Sequence, residues 1–167
     1  MADYKPETEK GECIFCKIAS GELRPMGEGM IYEDEDYMAW LSPFPNTEGF
    51  SIIAPKRHYS SDVLAMPEKD LNSLIAAAKK VSNMLIDYFE DVGRVGLIME
   101  GTGIDHAHIK LFPMHGTGNF KKGEWKQFHS QVNTYFDKYK GYISSNDGPK
   151  ADFEKLKVLA EKIRKTN

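Results

Sequence analysis

Apolar and polar positions along this chain fall into two periods. Strand-like runs occupy Met30-Ile31-Tyr32-Glu33 and Tyr37-Met38-Ala39-Trp40-Leu41, on either side of the acidic turn Asp34-Glu35-Asp36. A third, Phe50-Ser51-Ile52-Ile53-Ala54, is ended by Pro55, and the prolines of the connection from Ser42 to Gly49 stiffen it because they fix φ and cannot donate to a ladder. Leu71, Leu74, Ile75, Ala78, Val81, Leu85 and Phe89 then recur at steps of three and four, one apolar stripe on the clearest helix. Pro67 suits its first position, Glu68 and Asp70 lie near the positive end of its dipole, and Gly93 supplies a stop. A strand over Val95-Gly96-Leu97-Ile98-Met99 follows, then a glycine turn, then a strand over His106 to Pro113.

That last run alternates. It sends Ala107, Ile109 and Leu111 to one face and His106, His108 and Lys110 to the other, about 7 Å apart per step of two residues. Two imidazoles and an ammonium are expensive to bury without partners, so this face lines a polar cleft or holds a metal. The preceding Glu100-Gly101-Thr102-Gly103-Ile104-Asp105 lets the backbone turn tightly against a ligand. Farther on, Trp125, Phe128, Val132, Tyr135, Phe136 and Tyr139 recur at roughly helical spacing, which reads as core or dimer contact rather than as a base-stacking platform. Gly148-Pro149 breaks the chain before a last helix whose buried stripe is Phe153, Leu156, Leu159 and Ile163.

The 167 residues suit one domain, and a hydrophobic share of 41% with 28% charged is ordinary for a globular protein. A net charge of −3 creates no broad field for a polyanion, so no extended nucleic-acid binding is expected. No apolar run is long enough to span a bilayer, and the start Met1-Ala2-Asp3-Tyr4-Lys5-Pro6-Glu7 is polar and partly acidic rather than a signal peptide. Two cysteines build no disulfide framework. The expectation is a cytoplasmic protein with no membrane partner. Those cysteines form Cys13-Ile14-Phe15-Cys16, for which three readings stand: a redox pair, which lacks a preceding strand; structural zinc, with His58 and His106 available as further ligands; or two small buried thiols.

Four motifs in order, Cys-Ile-Phe-Cys-Lys-Ile at 13 to 18, Ile31-Tyr32-Glu33-Asp34, Pro55-Lys56-Arg57-His58 and the closing His-x-His strand, resemble the histidine triad (HIT) superfamily over about two thirds of the chain. The resemblance implies an α+β fold, an antiparallel sheet with one long helix packed on it and a C-terminal helical extension, usually as a homodimer. The polar start reads as a flexible tail at 1–11; the resemblance places a HIT-like domain at 12–120, and the apolar spacing beyond it a helical extension of the same domain at 121–167. The resemblance further implies hydrolysis or transfer at the α-phosphate of a purine nucleoside phosphoramidate or dinucleoside polyphosphate, through a nucleotidyl-histidine on His108. Neutral imidazole suits that role at pH 7, and a backbone carbonyl accepting from its other ring nitrogen would fix the tautomer. Carried over residue by residue, structural Zn²⁺ falls on Cys13, Cys16, His58 and His106, with His106 also in the triad. By their place in the strand and loop that the family uses for this, Trp40 or Phe44 is expected to pack on the base, and the amides around Gly101, Thr102 and Gly103 to hold phosphate oxygens.

The chain departs from the family pattern at informative places. Lys110 stands for the third triad histidine, Phe50 for the histidine after the glycine of the second strand pair, and Ser42 for the acidic or amide residue that grips the ribose. An ammonium at Lys110 would stabilise charge at the α-phosphate and disfavour protonation of His108; the bland alternative turns Lys110 away, its stem covering apolar surface. With two usual histidines replaced, a non-catalytic nucleotide-binding or interaction module on the same fold is the second reading. A scaffold holding only structural zinc is the third.

Overall fold

The computed structural model describes residues 12–132, 134–145, 148–164 and 166, and for Glu161 the backbone alone. The tail expected at 1–11 lies outside the described residues. The chain forms two compact units that divide between residues 126 and 127. In the first, five strands make one antiparallel sheet in the order β1-β2-β3-β5-β4: β1 Met30–Glu33, β2 Tyr37–Leu41, β3 Ser51–Pro55, β4 Val95–Ile98 and β5 Ile109–Pro113. The acidic turn between β1 and β2 closes on its own side chain, Asp34 Oδ1 accepting from the amides of Asp36 at 3.0 Å and Tyr37 at 2.7 Å.

Alternation along the strands sorts their side chains onto two faces. Ala39, Ile53, Ile109 and Leu111, with Ala107, meet Leu74, Ala77, Ala78, Val81 and Leu85 of the long helix α2, Glu68–Tyr88. Phe15 of the short helix α1, Ile14–Ala19, meets Met38, Trp40 and Ala54 on the other face. The helical stripe read from the sequence is the buried one, except that Ile75 is exposed and Ala77 takes its place. Both expected ends of α2 move. Pro67 is extended and precedes the helix, its carbonyl accepting from Asp70 and Leu71. The helix stops at Tyr88, where the Lys121 ammonium donates to the carbonyls of Ile86 and Phe89, so the stop is a lysine from elsewhere rather than Gly93. Gly93 serves a close approach instead: a Cβ there would lie 2.2 Å from the Thr117 carbonyl oxygen.

The second unit contains α3, Phe153–Arg164, opened by Asp152, whose Oδ1 accepts from the amides of Glu154 and Lys155. Its expected buried stripe is exposed at Phe153, Leu156, Leu159 and Ile163, because among the described residues this unit offers α3 no other helix or strand to pack on. The helical spacing of the aromatic series at 125–139 forms no helix among the described residues either. Propensity is weak there, and the Ser130 hydroxyl bonds the amide and carbonyl of Val132, competing with a helical ladder. Among the described residues no helix is long and apolar enough to cross a membrane.

Candidate active site and metal centre

On the face opposite α2, the register sets Lys110 of β5 beside Ile52 of β3, and Ile52 beside Trp40 of β2. This row floors a cleft of about 350 Å³. Ile14, Phe15 and Ile18 of α1 form one wall, the loop residues Ser42, Pro43 and Phe44 another, and Thr102 and Gly103 the lip nearest β5. His108 opens into the same cleft one step before Lys110. It precedes the ladder: β5 begins at Ile109, later than the alternation suggests, because the His106 amide bonds Ile104 and the Ala107 amide bonds Tyr59. The alternation of faces nevertheless holds through the whole run.

His108 is buried, and its Nδ1–H donates to the carbonyl of His106 at 2.7 Å. A carbonyl only accepts, so this bond fixes the tautomer and leaves Nε2 with the lone pair. Burial first, and also the ammonium of Lys110, hold His108 below the ordinary histidine value, which keeps the ring neutral at neutral pH. Lys110 does not turn away: it lines the cleft and its Nζ donates to Glu100 Oε2 at 2.6 Å. Glu100, the last residue before the glycine turn, was no candidate in the sequence. Its signal was an acid placed just past the end of β4, beside the strand that carries the lysine.

The Cys13 Sγ, Cys16 Sγ, His58 and His106 ligand atoms lie within 4.8 Å of one another, at the cap and first turn of α1, on the loop after β3 and just ahead of β5. His106 is fully buried; its Nε2–H donates to the Pro55 carbonyl at 2.8 Å, which turns the Nδ1 lone pair toward Cys13 Sγ at 3.2 Å and Cys16 Sγ at 3.6 Å. His58 Nδ1 stands 3.5 Å from Cys16 Sγ. Two thiols and two imidazoles so gathered fit a closed four-ligand metal site, and the Pro55 carbonyl is the outer partner that fixes a ligating imidazole. Burial, then Cys13, push the Cys16 thiol up to about 11, so Cys16 keeps its proton at neutral pH until a cation replaces it.

The structure thus gathers Trp40, Ser42, Phe44, Thr102, Gly103, His108 and Lys110 around one cleft. Gly101 lies outside it. At φ +67° it faces the Ser61 carbonyl, in a separate hollow with Asp62, Leu64 and Glu100. Trp40 is buried edge-on against Phe15, ring centroids 4.8 Å apart, whereas Phe44 is exposed at the rim. Phe50 closes one end of the cleft, stacked on Phe112 at 4.5 Å. The sequence hides the wall from α1 because the sulfurs of Cys-x-x-Cys are its most distinctive atoms; the apolar Ile14, Phe15 and Ile18 are the helical signal for it.

No protein-family model matches the chain. An uncharacterised HIT-like protein of Methanocaldococcus jannaschii is 33% identical over 120 residues, covering 68% of this chain and 89% of that protein. The adenylylsulfatase HINT3 of Arabidopsis thaliana is 29% identical over 111 residues, 64% of this chain and 54% of that one. A solved HIT-family protein of Bacillus subtilis has the same fold, with a TM-score of 0.60 at 24% identity over 92% of this chain and 96% of that chain.

Proposed function

The chain belongs to the histidine triad (HIT) family, and on that premise we propose that it is a nucleotidyl hydrolase or transferase acting at the α-phosphate of a purine nucleoside phosphoramidate or dinucleoside polyphosphate. One observation carries this reading: buried His108 lines the cleft with Nδ1 committed to a carbonyl, which leaves Nε2 free to act as the nucleophile, and burial lowers its tendency to take up a proton. Nε2 attacks the α-phosphorus, and the bond to the leaving group breaks as the P–N bond forms; the leaving group departs with the electron pair and is protonated from solvent. Water or an acceptor hydroxyl then attacks phosphorus, the P–N electrons return to Nε2, and the attacking oxygen gives its proton to solvent. His106 contributes through its carbonyl, as a positioning residue. Lys110 keeps two of its three donors for phosphate oxygens while Glu100 holds the third. The name of the Arabidopsis relative supports an adenylyl substrate.

We read the metal as zinc, held by Cys13, Cys16, His58 and His106; when bound it supplies a structural tie between α1 and the strands, with no role at phosphorus. A homodimer accompanies this reading, supported by the apolar face that α3 leaves exposed and tested by sedimentation equilibrium. One observation favours the alternative of a non-catalytic nucleotide-binding module: the Lys110 charge is already met by Glu100. Turnover separates the two. Wild type and His108→Asn are compared on adenosine phosphoramidate and a dinucleoside polyphosphate, with quenched samples weighed for a nucleotidyl adduct. The enzyme reading expects turnover and adduct in wild type, with neither in a variant that still binds. Binding without turnover in wild type would establish the module.

A further inference from the structure

Resting on that reading, we infer that the cleft does not distinguish ribose from 2′-deoxyribose, so that its substrates include 2′-deoxynucleoside derivatives. The sheet itself is the ruler. Lys110, Ile52 and Trp40 lie side by side on the cleft face of three neighbouring strands, and two strand spacings of about 4.8 Å put Trp40 roughly 10 Å from Lys110. A nucleotide whose phosphate sits at His108 and Lys110 therefore lays its sugar over Ile52 and its base toward β2 and the loop from Ser42 to Phe44. Midway along the floor the chain presents hydrocarbon.

The side chains with an oxygen or nitrogen hydrogen-bond acceptor or a charge that line the cleft, among the described residues, are Ser42, Thr102, His108 and Lys110; the Trp40 indole can only donate. No carboxylate or carboxamide is among them. His108 and Lys110 serve the phosphate, and Thr102, on the turn leading into β5, belongs to that same end. One hydroxyl remains for the sugar, and the Ser42 oxygen already accepts the Phe44 amide at 3.2 Å. Ribose differs from 2′-deoxyribose only at the 2′-hydroxyl, so discrimination needs a fixed partner for that one group; the Ser42 hydroxyl already accepts one bond and offers at most a single neutral hydrogen bond to it. An apolar surface neither strongly rejects nor strongly selects an added hydroxyl, whereas sites built to bond one discriminate about 10⁴–10⁵-fold. The most that a single neutral hydrogen bond adds is about tenfold.

The test measures kcat/KM for adenosine and 2′-deoxyadenosine 5′-phosphoramidate, and Kd for AMP and 2′-dAMP, in wild type, Ser42→Asp and Ser42→Asn. The inference expects a ribose preference under about tenfold in wild type by either readout. It expects that preference to rise at least about threefold when a carboxylate or carboxamide supplies the missing acceptors. A wild-type preference of about tenfold or more overturns it, as does a preference unmoved in both folded variants. The Kd ratio decides the matter even without turnover. Failure of all four compounds to bind or react would instead sink the nucleotide reading, and this inference with it.

Discussion

Truncating Phe15 to alanine tests whether packing holds α1 on the sheet. The ring is 4% exposed and sits among Met38, Trp40 and Ala54. A phenylalanine side chain carries about 150–250 Å², so its burial at about 25 cal/mol per Å² stabilises by roughly 4–6 kcal/mol as an upper bound. Alanine retains one methyl group and a short outer helix can settle into the gap, which brings the expected loss to about 3–4 kcal/mol. That is a large share of the roughly 5–15 kcal/mol that holds a typical domain together. Phe15→Leu should lose only about 1 kcal/mol, since it nearly conserves volume. The assay is urea unfolding followed by fluorescence and circular dichroism, with zinc present and with chelator, because ligands at Cys13 and Cys16 flank the ring and can mask the loss. A loss under about 1 kcal/mol in chelated Phe15→Ala, with the denaturant slope unchanged, would refute the claim that this side chain anchors α1.

Three further outcomes are expected. Metal analysis should find one zinc per chain, and Cys13→Ser should weaken binding by more than the roughly 10–100-fold that loss of an outer partner produces; full retention of zinc would dismantle the assigned site. Gly93→Ala drives a Cβ against the Thr117 carbonyl oxygen, 2.2 Å away and part of the backbone. It should destabilise by about 2 kcal/mol or more, lowering Tm by roughly 4–8 °C, and an unchanged Tm would count against the close approach. His115 is held above its ordinary value of 6.5 by the Glu48 carbonyl and then by Asp91. A raised folded value means that its stabilisation is full below the unfolded value of 6.5 and is lost as pH rises through the higher folded value, so wild type should exceed His115→Gln in Tm by more near pH 6 than near pH 9. The reverse order would break the assignment.

What the sequence made legible was periodic. Strict alternation in residues 106–113 assigns Ala107, Ile109 and Leu111 to the core and His106, His108 and Lys110 to the opposite face, where His108 and Lys110 line the cleft and His106 joins the two cysteines. The heptad-like stripe of α2 was readable for the same reason. What stayed hidden depends on residues far apart in the chain. Lys121 ends α2 from 32 positions beyond Phe89, and Glu100 meets Lys110 across a turn that no local pattern describes. The aromatic series at 125–139 shows the opposite failure: a period without the propensity or the packing to convert it into a helix.

His106 serves two centres with two different parts of itself. Its ring faces the sulfurs, while its main-chain oxygen sets the tautomer of His108. Every amino acid has that oxygen. The tautomer of His108 is therefore set by the backbone, and a change of side chain at position 106 leaves that carbonyl in the chain while it removes the ring from the sulfurs and from the Pro55 carbonyl. On the proposed reading, a descendant of this protein could lose the four-ligand site and keep the oriented His108, so the two properties could be inherited, and lost, separately.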